Sequence, residues 1–191
     1  MRKAIFFDRD GVLNQAVVVD GRPRPPADAQ SMVITVGALG LLLSLKELGF
    51  TLICVTNQPD VARGSRTEEN VKSMNEKVRF ELSLDDLYVC LHDNEDNCDC
   101  RKPKPGMLLS AANKWSLDLP SCWMVGDRAS DVEAGRAAGC RTIFIDHNYA
   151  EPKPDPPADY VCLNLVEAVS LIKEVSLRYE NPSRFKGEIV R

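Results

Sequence analysis

Lys3-Ala4-Ile5-Phe6-Phe7-Asp8-Arg9-Asp10-Gly11 is an apolar run that breaks into two acids and a glycine. Ala4 to Phe7 has no polar interruption, the pattern of a strand covered on both faces of a parallel sheet. Asp8 and Asp10 stand where that strand ends. If extended backbone persists for two more residues, side chains at i and i+2 share a face. Two like charges held that close repel unless a cation or hydrogen-bond donors relieve them. A hard ion such as Mg2+ takes one or two carboxylates and leaves room for phosphate oxygens and water. The same letters also fit a strand ending in a polar turn, with both aspartates solvated.

Outward from that stretch the chain alternates strand and helix signals. Thr51-Leu52-Ile53-Cys54-Val55 reads as a second buried strand, ending at Thr56-Asn57-Gln58. Leu87 to Val89, Cys122 to Val125, Thr142 to Ile145 and Tyr160-Val161 supply a third to a sixth. Helix signals lie between them: Leu39 to Leu48 stopped by Gly49, a segment opened by Thr67, Pro105-Gly106 through Asn113, Ser130 to Ala138 stopped by Gly139, and Leu165 to Leu177. Val17-Val18-Val19, Asp20-Gly21 and the proline-rich Arg22 to Pro26 read as a small hairpin or irregular loop over the end of the first strand. Alternating strands and helices predict an α/β fold, a Rossmann-like parallel sheet flanked by helices with right-handed crossovers. Chemistry in such sheets gathers at the carboxyl ends of the strands. Three strand ends are polar here: Asp8/Asp10, Thr56-Asn57-Gln58, and Gly126-Asp127-Arg128 with Asp131 beyond.

With 191 residues the chain has the length of one domain, expected over residues 1–178 with a polar tail at 179–191. A net charge of −4 and the lack of a basic run speak against a nucleic-acid or anionic-membrane surface. No apolar stretch approaches a bilayer span, and the basic start leads directly into a strand rather than a signal-peptide core. Seven cysteines, an odd number in a chain of this size, suit a reducing cytoplasm better than a disulfide framework. Cys54, Cys122, Cys140 and Cys162 lie in or beside apolar strands and read as small buried hydrophobes. His147 reads as a surface-loop histidine.

A second constellation is Cys90-Leu91-His92, a five-residue polar gap, then Cys98-Asp99-Cys100. Each pair has i, i+2 spacing and faces one way in extended backbone. Three thiolates and an imidazole complete a closed tetrahedral Zn2+ site, structural because no position is left for water. The loop at 90–100 is too polar to fold alone, and a metal clip supplies the missing order. Its other reading is an ordinary loop with free thiols.

Asp8-x-Asp10-Gly11, strand-terminal Thr56, Arg101-Lys102-Pro103 and Gly126-Asp127-x-x-x-Asp131 resemble, in order and spacing, the four motifs of haloacid-dehalogenase-superfamily phosphatases. The resemblance covers about Lys3 to Ile145. It implies an essentially capless fold and a Mg2+-dependent phosphatase. By that resemblance Asp8 is the nucleophile that becomes an aspartyl-phosphate. Asp10 protonates the leaving alkoxide and then deprotonates the attacking water. Thr56 hydrogen-bonds a phosphoryl oxygen, with Asn57 and Gln58 beside it at the substrate. Lys102 neutralises the nucleophile and the phosphoryl oxygens. Asp127 ligates Mg2+ with Asp8 and the carbonyl of Asp10, while Asp131 holds either the metal's water shell or Lys102.

The cysteine loop is similar to that of the branch containing heptose-bisphosphate phosphatases and the phosphatase half of histidinol-phosphate phosphatases. There it directly precedes the motif lysine, so a clip ending at Cys100 would fix Arg101 and Lys102. Asp60 to Gly64 and Lys104 to Leu108 resemble the heptose enzymes. The short His92–Cys98 gap and Gly126 to Asp131 are nearer the histidinol-phosphate ones. Arg63, Arg101, Lys102 and Arg128 are more cations than one phosphate needs, which favours a bisphosphate such as D-glycero-D-manno-heptose 1,7-bisphosphate, losing its 7-phosphate. Histidinol phosphate is the alternative, its amine greeted by the acids between Asp93 and Asp99. Arg63 also reads as a carboxylate-paired surface residue. A non-catalytic phosphate-binding or signalling module would share the sheet but have no use for Asp10. A small phosphorylated molecule is thus the expected partner, with neither nucleic acid nor membrane, and the chain is expected to act as a cytoplasmic monomer.

Overall fold

Ala4, Ile5, Phe6 and Phe7 are each 0% exposed, and the way they divide between two faces organises the molecule. The structure, a computed structural model, describes residues 2–180. Its elements are β1 (Lys3–Phe7), β2 (Val17–Val19), β3 (Arg22–Arg24), α1 (Ala38–Lys46), β4 (Phe50–Asn57), α2 (Glu68–Glu81), β5 (Asp86–Cys90), α3 (Gly106–Trp115), β6 (Trp123–Gly126), α4 (Ala129–Ala138), β7 (Arg141–Ile145), β8 (Tyr160–Cys162) and α5 (Leu165–Glu180). The expected polar tail from 181 onward lies outside the described residues. The last helix runs to Glu180, two residues past the expected boundary at 178.

Six strands form one sheet in the order β5-β4-β1-β6-β7-β8, and every pairing in it is parallel. Ile5, Phe7, Leu52, Cys54, Trp123 and Val125 face one apolar cluster, which they share with Leu42 and Leu45 of α1, Met74 of α2 and Ile172 of α5. Ala4, Phe6, Ile53, Val55 and Met124 face the other, with Met107 and Leu108 of α3 and Ala134 of α4. Period-two side chains on strands covered twice give the unbroken apolar runs of the sequence. Each large core side chain contributes about 1.5–3 kcal/mol by leaving water. The cysteines at 54, 90, 122, 140 and 162 are buried.

β2 and β3 form the separate two-stranded sheet. Its turn residues Asp20 and Gly21 both have positive φ, 51° and 72°, the conformation that a two-residue hairpin turn demands and that Asp-Gly supplies at low cost. The expected segments are all present, displaced by a few residues at their ends. Among the described residues no helix is long and apolar enough to cross a membrane.

Candidate active site

Chain direction brings the carboxyl ends of β5, β4, β1 and β6 together as neighbours along one edge of the sheet. Asp8 N–H donates to Val125 O at 2.9 Å, so pairing with β6 outlasts β1 by one residue. The chain then turns, with Arg9 O accepting from Leu13 N at 2.9 Å and Asn14 N at 3.0 Å. Extended geometry therefore stops before Asp10, which corrects the expectation of two aspartates on one strand face. They meet instead across a cavity of about 270 Å³, lined also by Thr56, Asn57, Arg101, Lys102, Arg128 and Asp131. Asp10 is held there by three donors: Arg9 Nη2 at 2.9 Å, Gln58 Nε2 at 2.8 Å and Asn14 Nδ2 at 3.0 Å.

Lys102 is 3% exposed, and its ammonium finds three acceptors for its three protons. Asp8 Oδ1 and Asp131 Oδ1 each lie 2.6 Å away and Val55 O lies at 2.7 Å. Burial alone would discourage the charge, but Asp131 and Asp8 outweigh it and hold the amine protonated. Contact with Lys102 is one of the two roles expected for Asp131. Its other oxygen accepts Arg128 N–H at 3.0 Å and closes the first turn of α4. Asn57 donates to Lys102 O at 2.9 Å and accepts from Lys102 N at 3.1 Å.

Ligand oxygens of Asp8, Asp127 and Asp131 lie within 4.8 Å of one another. Burial pushes the Asp8 carboxyl up to about 6 against the pull of Lys102. Burial first, then the charges of Asp8 and Asp131, raise Asp127 well above the usual carboxylate range. Both Asp127 oxygens are buried without a well-formed hydrogen bond. Buried acceptors are rarely left that way, and a hard cation is the partner that this all-oxygen donor set fits. Gly11, at φ 96°, leaves the space: a Cβ there would collide with the Asp127 carboxylate. The carboxylate of Asp10 stands outside the group.

The cysteine loop folds into a second cluster, with Cys90, His92, Cys98 and Cys100 offering ligand atoms within 4.8 Å of one another. Sulfur separations are 3.7 Å for Cys90–Cys98, 3.1 Å for Cys90–Cys100 and 3.4 Å for Cys98–Cys100. His92 Nδ1 lies 3.6 Å from Cys90 Sγ and 3.3 Å from Cys100 Sγ. Tetrahedral zinc with ordinary bond lengths separates such atoms by about 3.5–3.8 Å, so the cluster is compatible with it. Burial keeps the Cys90 thiol up at about 12. Burial also opposes ionisation of Cys98, yet the Arg101 N–H and the neighbouring thiols bring it down to about 7.

The expected substrate contacts divide. Arg101 lines the cavity and is steadied by Asn94 Oδ1 at 2.7 Å and His92 O at 3.2 Å. Arg128 lines it while donating to Pro23 O at 2.6 Å, and its Nε lies 3.7 Å from Glu151. Arg63 does not line it; its Nε and Nη2 each reach Asp93 at 2.6 Å, so the carboxylate-paired reading is the one seen. Gln58 is 2% exposed and bridges Asp10 to Thr56 Oγ1, behind the cavity rather than in it. Asn57 reaches the wall, but its amide is engaged by the Lys102 backbone.

Three neighbours had no sequence signal. Arg9, 0% exposed, joins Asp10 to Asn75 of α2, whose Oδ1 lies 2.6 Å from Nη1. His147 is exposed, as a surface-loop histidine is expected to be, yet it sets Nε2 2.7 Å from Gly11 O and packs on Tyr149. Burial, then the Asp127 charge, raises the Tyr149 phenol.

A parallel sheet with a lysine-bridged pair of acids at its central edge is the arrangement of HAD-like hydrolases, and the family model described as HAD-hydrolase-like matches residues 99–168. The D-glycero-beta-D-manno-heptose-1,7-bisphosphate 7-phosphatase of Yersinia pestis is 35% identical over 93% of this chain and 97% of its own. That of Escherichia coli (strain K12) is 34% identical over 90% and 94%. The D,D-heptose 1,7-bisphosphate phosphatase of B. bronchiseptica, solved with magnesium and phosphate, superposes with a TM-score of 0.75 at 26% identity, over 92% of this chain and 99% of that one. The chain therefore belongs to the heptose-bisphosphate phosphatase family of HAD-like hydrolases, and it is a phosphatase.

Proposed function

We propose that the chain is a Mg2+-dependent phosphomonoester hydrolase that removes the 7-phosphate of D-glycero-D-manno-heptose 1,7-bisphosphate. One observation carries the mechanism: two differently held carboxylates face one cavity, Asp8 bridged to Lys102 and Asp10 fixed by Arg9, Gln58 and Asn14. Asp8 attacks phosphorus and the bond from phosphorus to the sugar oxygen breaks, while Asp10 delivers a proton to the departing alkoxide. Asp10 then takes a proton from water, which attacks the aspartyl-phosphate, frees inorganic phosphate and restores the Asp8 carboxylate. Thr56 donates to a phosphoryl oxygen. Lys102 offsets the negative charge on Asp8 and on the oxygens around phosphorus.

Asp8, Asp127 and the carbonyl of Asp10 are the groups that would hold Mg2+, which when bound lends positive charge to the transferring phosphoryl group. Cys90, His92, Cys98 and Cys100 would hold a structural Zn2+ and fix the loop that runs into Arg101 and Lys102. A single chain carries every group this chemistry needs, so action as a monomer requires no residue from a second copy.

The names of the relatives and the state of the acidic loop both support the heptose ester over histidinol phosphate. Asp93 is engaged by Arg63 and Asp96 caps Asp93 N–H at 2.7 Å, and of that loop it is Asn94, not an acid, that lines the cavity. The test is kcat/KM across heptose 1,7-bisphosphate, heptose 7-phosphate, hexose bisphosphates and histidinol phosphate. The heptose bisphosphate is expected to lead, EDTA to stop turnover and Mg2+ to restore it; a preference for histidinol phosphate would overturn the substrate assignment.

A further inference from the structure

A 1,7-bisphosphate carries its phosphates at opposite ends of the sugar, so only one can lie on Asp8 and the other must be met further out. The cavity around Asp8 opens beside a second basin of about 450 Å³, and Pro23, Arg24 and Arg128 line both. Most cations near this passage are already engaged. Arg101 is held by Asn94 and His92 O, Arg128 by Pro23 O, Arg63 by Asp93, and Arg66 by Pro26 O and Ala27 O. The Arg24 guanidinium, among the described residues, has no hydrogen bond or ion pair. It is exposed on β3, two residues from Arg22 and on the same face, while Pro23 between them is buried.

Arg24 is free at its tip but not at its base. Arg128 Nη2 donates to Pro23 O at 2.6 Å, Ala150 N to Gly21 O at 2.8 Å, and Arg66 Nη1 to Pro26 O at 2.7 Å. The hairpin and the residues just after it are thus fastened to the body at three carbonyls. Cation placement on a docked element loses less to ordering when a ligand arrives than placement on a loose loop.

We propose that Arg24 is the specificity residue that reads the distal phosphate of the substrate, its guanidinium donating to the phosphate oxygens as the group emerges from the cavity toward the second basin. A planar fork of donors matches phosphate oxygens, whereas a lysine offers a point charge. This assignment rests on the sugar-bisphosphate reading above. It differs from the sequence-based expectation, in which Arg63 shared that task.

The test compares wild type, Arg24→Gln and Arg24→Lys on heptose 1,7-bisphosphate and on heptose 7-phosphate, with kcat and KM resolved separately. Arg24→Gln is expected to lower kcat/KM for the bisphosphate by about tenfold or more, the worth of a charge-assisted hydrogen bond. The fall should come mainly through KM, with turnover of the monophosphate within about twofold of wild type, which also shows that the variant is folded. Arg24→Lys should recover part of the loss. Equal falls on both esters, or no fall on either, overturn the role of Arg24 while the phosphatase reading stands. Wild type that hydrolyses neither ester overturns the substrate reading and this assignment with it.

Discussion

Asn57 and Lys102 exchange a reciprocal pair of hydrogen bonds, the Asn57 amide donating to Lys102 O at 2.9 Å and accepting from Lys102 N at 3.1 Å. A side chain at the end of β4 thus imitates one more rung of a sheet. It fastens the backbone of the loop that carries the buried lysine.

Asn57→Ala removes both bonds and leaves Lys102 N–H without its partner, at a cost of about 1–3 kcal/mol if water cannot reach it. With the anchor gone, a shift of Lys102 by about 1 Å lowers kcat by about 10²-fold. Steady-state kinetics should show kcat falling more than KM rises. A variant with normal kcat would show that the lysine is placed without Asn57.

Asp8→Asn is expected to abolish turnover and leave the fold intact. The replacement is nearly isosteric, and Lys102 keeps Asp131 and Val55 O as acceptors. Phosphatase rate and thermal melting together check this, and near-wild-type kcat would rule out attack by Asp8.

Elemental analysis should find about one tightly held zinc per chain, separable from the exchangeable Mg2+. Cys98→Ser is expected to lose that zinc, keep the melting of the core, and lower kcat/KM sharply because Arg101 and Lys102 follow directly. Zinc content and activity are measured on the same preparation. A zinc-free variant with full activity would uncouple the cluster from the lysine.

Asp86 gives an acid-stability prediction away from both metal clusters. Burial raises its carboxyl, but donation from Lys114 Nζ and Trp115 Nε1, each at 2.8 Å, prevails and holds it below the usual value. A depressed folded pKa means stability that is present above the unfolded value, near about 3.9, and is lost as pH falls through the lower folded value. Asp86→Ala should cost about 1–3 kcal/mol at neutral pH and flatten the acid limb of a denaturation series. An unchanged acid limb would show that the group does not contribute.

Local pattern was enough for what local chemistry sets. Ala4 to Phe7 reads as a doubly covered strand because covering leaves no polar position to interrupt it. The four metal-type ligands of the cysteine loop fall within eleven residues, so their meeting needs no long-range information. Arg9 was invisible for the opposite reason. Its meaning depends on Asn75, 66 residues away on α2, and on a turn that aims the side chain inward. That Asp93 is the partner of Arg63 was out of reach for the same reason, since it lies 30 residues on, across two elements. Gln58 was placed on the correct strand end, but its face could not be told without knowing where β4 stops.

The hairpin of β2 and β3 is held to the body through its own carbonyl oxygens, those of Gly21 and Pro23, and through Pro26 O just beyond it. Every peptide unit owns a carbonyl, whatever its side chain. Positions 22 and 24 can therefore be exchanged for other residues without unfastening the element that presents them. The hairpin and the phosphate-transferring centre are linked through Arg128, which lines the cavity and grips Pro23 O, and the side chains at 22 and 24 play no part in that link. Altered selectivity is within reach of one or two substitutions on a strand three residues long.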